Sequence, residues 1–95
     1  MHGKITVKFF GLLRRRVHAS AVEIDGDGLP VHELLILVEK KTGQRFLDEL
    51  LDGEKGLLTG TMILVNGENI RLRQNLETLV HDGDSVDLFS PAGGG

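Results

Sequence analysis

The chain contains no cysteine, no tyrosine and no tryptophan among its 95 residues. Without thiols it has no disulfides, no thiolate metal ligands and no cysteine nucleophile. Its four phenylalanines are its only aromatic rings, too few for a base-stacking platform. Long apolar stretches are also missing. The longest, Leu34 to Val38, falls far short of the roughly 20 residues that span a bilayer, so no membrane partner is expected. The opening Met1-His2-Gly3-Lys4 leads directly into an alternating strand pattern, so no leader is expected and the chain reads as cytoplasmic. Positive charge is in deficit, with 11 Lys and Arg against 14 Asp and Glu and a net charge of -3. Phosphate backbones demand a basic surface, so nucleic acid is not an expected partner. The one basic cluster, Arg14-Arg15-Arg16, reads as a solvated loop. His2, His18, His32 and His81 are scattered without ligand spacing, and no metal site is expected. No glycine-rich phosphate loop is present either, because Gly26-Asp27-Gly28 has the wrong length and context.

What remains is an ordinary globular composition, 40% hydrophobic and 26% charged, on a scale that fits one domain. Residues 4 to 10 alternate, with Ile5, Val7 and Phe9 on one face and Thr6, Lys8 and Phe10 on the other. Residues 20 to 25 alternate again, with Val22 and Ile24 inward, and Gly11 to Ala19 reads as a loose hairpin connection. A helix is predicted from about Pro30 to Thr42. Val31, Leu34, Leu35 and Val38 make its apolar stripe, Ile36 and Leu37 widen it, and Gly43 ends it. Phe46 to Leu51 reads as a short helical turn. Residues 61 to 65 form a strand that runs into Asn66-Gly67, a hairpin turn, with Glu68 to Leu72 as the return strand. After the turn His81-Asp82-Gly83-Asp84, Ser85 to Phe89 is the last strand. Strands around one long helix, with no strand–helix repeat, predict an α+β domain: a mixed sheet of four to five strands packed on one main helix.

The domain is expected to occupy residues 1–90, with residues 91–95 as a flexible glycine tail. From Ser90 the chain reads Ser-Pro-Ala-Gly-Gly-Gly. Six extended residues reach roughly 20 Å. Pro91 stiffens the exit. Gly93 and Gly94, lacking Cβ atoms, suit a narrow channel that would exclude side chains. Such a tail delivers the α-carboxylate of Gly95. A carboxylate is a poor electrophile until its oxygen becomes a leaving group, for example through adenylation by ATP. This chain has no machinery for that step, so the activating site is expected on another protein.

Four segments together resemble a known family: Val-Lys-Phe-Phe-Gly-Leu-Leu-Arg at 7–14, Val-Asn-Gly at 65–67, Asp-Gly-Asp-Ser-Val-Asp-Leu-Phe-Ser-Pro at 82–91 and Gly-Gly at 94–95. In this order they resemble the MoaD/ThiS sulfur carriers, and the Phe-Phe and Leu-Phe-Ser-Pro segments are more similar to MoaD. The resemblance implies a ubiquitin-like β-grasp fold. It also implies adenylation of Gly95 by an E1-like enzyme that uses ATP, with no cofactor held by this chain. Conversion to a thiocarboxylate then follows, with sulfur handed to the molybdopterin synthase large subunit or another acceptor enzyme. A ThiS-like carrier for thiamin thiazole, a ubiquitin-like modifier joined to lysines, and a β-grasp interaction module with an inert tail all remain open.

By alternation Phe10 and Phe89 point away from the inward faces of their strands. They are either covered by loop or tail residues or form an apolar docking patch, and the resemblance implies the patch, with Pro91 beside it. Asp82 and Asp84 read as turn residues; with Asp87 they are also candidates to meet basic groups on a partner.

Overall fold

A computed structural model describes residues 3–53 and 56–91. The first strand, β1 (Lys4–Phe9), buries Ile5, Val7 and Phe9 completely, as its alternation predicts. The segment read as a hairpin connection holds a short helix instead, α1 (Leu12–Val17). Leu13 and Val17, four residues apart, point into the core from it. His18 ends this helix in the left-handed region, its N–H bonded to the Arg14 carbonyl. The arginine cluster therefore lies on a helix. Arg16 reaches Glu49 at 2.8 Å and donates through Nε to the Arg45 carbonyl at 2.9 Å.

Next come β2 (Ala21–Asp25), the two-residue β3 (Leu29–Pro30) and the main helix α2 (Val31–Thr42). Pro30 is extended, at φ -68° and ψ 150°, and stands just outside the helix as its cap. Gly43 closes the helix at φ 72°, with its N–H bonded to the Glu39 carbonyl. This is a conformation that suits a residue without a Cβ. Val31, Leu34, Leu35 and Val38 are fully buried. Ile36 does not widen the stripe: it is 46% exposed. At about 100° per residue, it stands well round the helix from Leu34. The turn predicted from Phe46 is a 3-10 helix at Leu47–Glu49, capped by a carboxylate from α2. Glu39 Oε2 accepts from the N–H groups of Phe46 and Leu47 at 2.8 and 3.0 Å.

Strand β4 (Met62–Val65) turns through Asn66 and Gly67, at φ 51° and 85°, into β5 (Glu68–Asn69). Positive φ at both positions is what the Asn-Gly pair predicts. The return strand is shorter than expected. Asn69 accepts the Arg71 N–H with its side chain at 2.9 Å and starts a 3-10 helix, Ile70–Leu72. A second 3-10 helix, Asn75–Glu77, leads to β6 (Leu79–Val80), which pairs with β3. The last strand is β7 (Ser85–Phe89).

The main sheet has the order β2-β1-β7-β4-β5. β7 lies at its centre, parallel to β1 and antiparallel to β4. The architecture is α+β, with a mixed five-stranded sheet. The core packs Ile5, Val7, Phe9, Val86 and Leu88 with Leu34, Leu35 and Val38 of α2. Phe9 meets Phe46 edge to face, with centroids 5.9 Å apart. Among the described residues no helix is long and apolar enough to cross a membrane.

Candidate functional site

Alternation along β7 sends Val86 and Leu88 into the core and leaves Ser85, Asp87 and Phe89 half-buried on the other face. The parallel register sets Phe9 beside Leu88, and the Phe10 N–H donates to the Leu88 carbonyl at 3.2 Å. Phe10 thereby falls next to Phe89. Their rings stack with centroids 4.6 Å apart and planes 10° from parallel. Arg14, carried by α1, lies over the Phe10 ring at 5.9 Å, and its Nε donates to the Phe9 carbonyl at 3.3 Å. The two phenylalanines singled out in the sequence thus cover each other, and both remain half-buried.

Met62 pairs directly with Phe89 across the β4–β7 ladder, and Leu64 pairs with Asp87. Both are half-buried on the open face. Phe10, Phe89, Met62 and Leu64 therefore extend across three adjacent strands as an apolar surface. Sequence reading did not include Met62 and Leu64 in this surface. The signal was available, since Ile63 and Val65 alternate with them. Asp87 interrupts the surface between Lys8 on β1 and Leu64 on β4. Its Oδ1 is enclosed and has no hydrogen-bond partner among the described residues.

Asp82 and Asp84 serve the fold. Asp82 Oδ1 accepts the Lys4 N–H at 2.8 Å. Asp84 accepts from the Asn66 amide at 2.8 Å and from the His81 N–H at 2.7 Å.

Beyond Phe89 the chain passes through Ser90 to Pro91, both half-buried. Pro91 packs on Gly60: a Cβ at that glycine would lie 3.2 Å from the Pro91 Cβ. Beside it opens a groove of about 440 Å³, lined among others by Leu12, Leu57, Asp48 and Asp52. The predicted tail residues Gly93, Gly94 and Gly95 lie outside the described residues. Among the described residues no group of three His, Asp or Glu side chains could hold a metal ion.

The model of the ThiS family matches residues 7–95. The chain belongs to the ThiS family. A protein of Archaeoglobus fulgidus named "Putative sulfur carrier protein" is 34% identical to this ThiS-family chain over 79 residues, covering 83% of this chain and 89% of the relative. Solved structures share its fold, among them these two. The solution structure of small archaeal modifier protein 1 from Methanosarcina acetivorans aligns over 100% of this chain and 99% of that one, with 27% identity and a TM-score of 0.77. A chain in the crystal structure of the BexX/CysO complex from Amycolatopsis orientalis aligns over 96% of this chain and 99% of that one, with 28% identity and a TM-score of 0.77. The fold is the ubiquitin-like β-grasp that the sequence resemblance implied. The chain has the fold shared by sulfur carriers and ubiquitin-like small modifiers.

Proposed function

We propose that this ThiS-family chain carries sulfur on the carboxylate of Gly95, and that residues 91–95 form the tail that presents it. A carboxylate oxygen of Gly95 attacks the α-phosphorus of ATP in the site of an E1-like partner. The α–β phosphoanhydride bond breaks and pyrophosphate leaves. Hydrosulfide then adds to the carbonyl carbon of the acyl adenylate, the bond to the AMP oxygen breaks, and a thiocarboxylate forms as AMP departs. At an acceptor enzyme, by MoaD resemblance the large subunit of molybdopterin synthase, the thiocarboxylate sulfur bonds to an electrophilic carbon of that enzyme's substrate and displaces its leaving group; water then cleaves the thioester, leaving sulfur on the substrate and returning Gly95 to the carboxylate. The chain supplies the docking surface and the carboxylate, and its partners supply the catalysis.

The observation that carries this reading is the apolar surface of Phe10, Phe89 and Met62, which runs up to the point where the chain leaves β7. A half-buried aromatic pair within an apolar patch is the sort of anchor partners use. Gly93 and Gly94, which lack a Cβ, suit a segment threaded into a narrow channel, and Pro91 stiffens its start. The test is intact mass spectrometry after incubation with the host's E1-like enzyme, ATP and sulfide. Replacement of one oxygen by sulfur at Gly95, absent when Gly94 and Gly95 are deleted, supports the carrier. No change in mass overturns it.

A second reading has a specific observation in its favour, the full-length similarity to a small archaeal modifier protein. The same activated carboxylate, attacked by a lysine amine in place of hydrosulfide, gives an amide. Conjugates on lysines of other proteins, in the same assay with lysate added, would favour the modifier.

A further inference from the structure

The seat of Pro91 is built by residues remote in sequence. Leu58 to Thr61 form a tight turn, closed by the Thr61 N–H to the Leu58 carbonyl at 3.0 Å. Gly60 is the third residue of the turn, at φ 91°, where a left-handed backbone favours glycine. The missing Cβ also lets Pro91 lie on the turn, since a Cβ would stand 3.2 Å from the Pro91 Cβ and 3.5 Å from its Cα. Two clamps hold the turn. The Leu50 carbonyl accepts from the Leu58 N–H and from the Thr61 hydroxyl, both at 2.9 Å. From the other side, Arg71 Nη2 donates to the Leu58 carbonyl at 3.1 Å and to the Thr61 carbonyl at 3.0 Å. Asn69 steadies the base of Arg71 by accepting its backbone N–H at 2.9 Å.

We propose that Arg71 is a positioning residue for the terminal segment: by pinning the Leu58–Thr61 turn it fixes Gly60 under Pro91, and so sets the direction in which the chain leaves the sheet. The role in activation rests on the carrier reading above. Drawn out in a partner's channel, four extended residues would span roughly 14 Å, so a tilt of about 10° at Pro91 would move their end by about 2 Å. A misplacement of about 1 Å at a reacting group can cost on the order of 100-fold in rate. Arg71, in the 3-10 helix after β5, bonds the Leu58 and Thr61 carbonyls and is not one of the apolar side chains of the docking surface. Its loss should therefore leave docking intact and impair alignment.

The experiment compares wild type, Arg71→Ala, Arg71→Lys and Gly60→Ala in two measurements. One is ATP–pyrophosphate exchange by the host's E1-like enzyme. The other is the nuclear Overhauser contact between residue 60 Hα and Pro91 Hβ. Arg71→Ala is expected to lose the contact and to lower kcat about tenfold, with KM within about twofold of wild type. Arg71→Lys keeps an ammonium donor for the two carbonyls and should recover part of both. Gly60→Ala should reproduce the loss with Arg71 intact. If Arg71→Ala does not fold, Arg71→Lys and Gly60→Ala carry the comparison. A retained contact and an unchanged kcat in Arg71→Ala, with only a lower melting temperature, would overturn the proposal. If the wild type gives no exchange at all, the carrier reading fails, while the Overhauser contact still decides whether Arg71 seats Pro91.

Discussion

Phe10 and Phe89 stack face to face, 4.6 Å between centroids, although 79 positions separate them in the chain. The parallel pairing of β1 with β7 brings them together, because Phe10 follows the β1 residue that lies beside Leu88. The pair lies on the sheet face opposite α2, and the core is complete without it. Loss of either ring is therefore expected to weaken the domain only modestly, without unfolding it.

Phe89→Asp should leave the domain folded and raise KM for the activating enzyme at least about tenfold, which is ~1.4 kcal/mol of docking energy. The charge would stand on the same face as Asp87, in the middle of the apolar surface. Circular dichroism and pyrophosphate exchange on one sample check both halves. Loss of the native spectrum would show Phe89 to be a core residue.

A double-mutant cycle of Phe10→Ala and Phe89→Ala should show a coupling of ~0.5–1.5 kcal/mol in urea unfolding, the range for a stacked aromatic pair. Additive losses would mean that the rings do not meet in solution.

Glu39→Ala should cost ~1–3 kcal/mol, because one carboxylate oxygen satisfies the N–H groups of both Phe46 and Leu47. Hydrogen exchange should accelerate first at those two amides. Glu39→Gln keeps an acceptor oxygen and should lose less. Equal losses in the two variants would tie the effect to the charge of Glu39.

Gly67→Ala should destabilise the domain by ~1–2 kcal/mol, since a side chain at φ 85° is strained. Gly3 has no positive φ, yet Gly3→Ala should also be costly, because its Cβ would run into the Gly26 carbonyl oxygen, a backbone atom. Melting temperatures of both variants test the two mechanisms side by side.

Elements with a strong period or a committed turn were legible in the sequence. The Lys4–Phe9 and Ser85–Phe89 strands, the α2 stripe and the Asn66-Gly67 turn appear where local pattern puts them. α1 was missed because three arginines hide a single buried pair, Leu13 and Val17. β3 and β6 are two residues each and are held by one another, so neither has a period to read. The predicted return strand gave way after Asn69, whose side chain competes for the backbone. At the site, alternation sufficed to point Phe10 and Phe89 outward. Their stacking, and the meeting of Gly60 with Pro91, depend on sheet order, which no local pattern encodes.

The central place of β7 has a consequence for synthesis. Until residues 85–89 emerge from the ribosome, β1 has only β2 to pair with, and β4 only β5. Long-range pairing of this kind closes late. A chain broken off before Ser85 lacks the strand that joins the two halves of the sheet, along with Phe89 and its half of the aromatic pair. Its carboxyl end would have no assembled face beside it for a partner to recognise. The topology thus makes a finished domain a condition of display: without β7 the chain has no assembled sheet face to present.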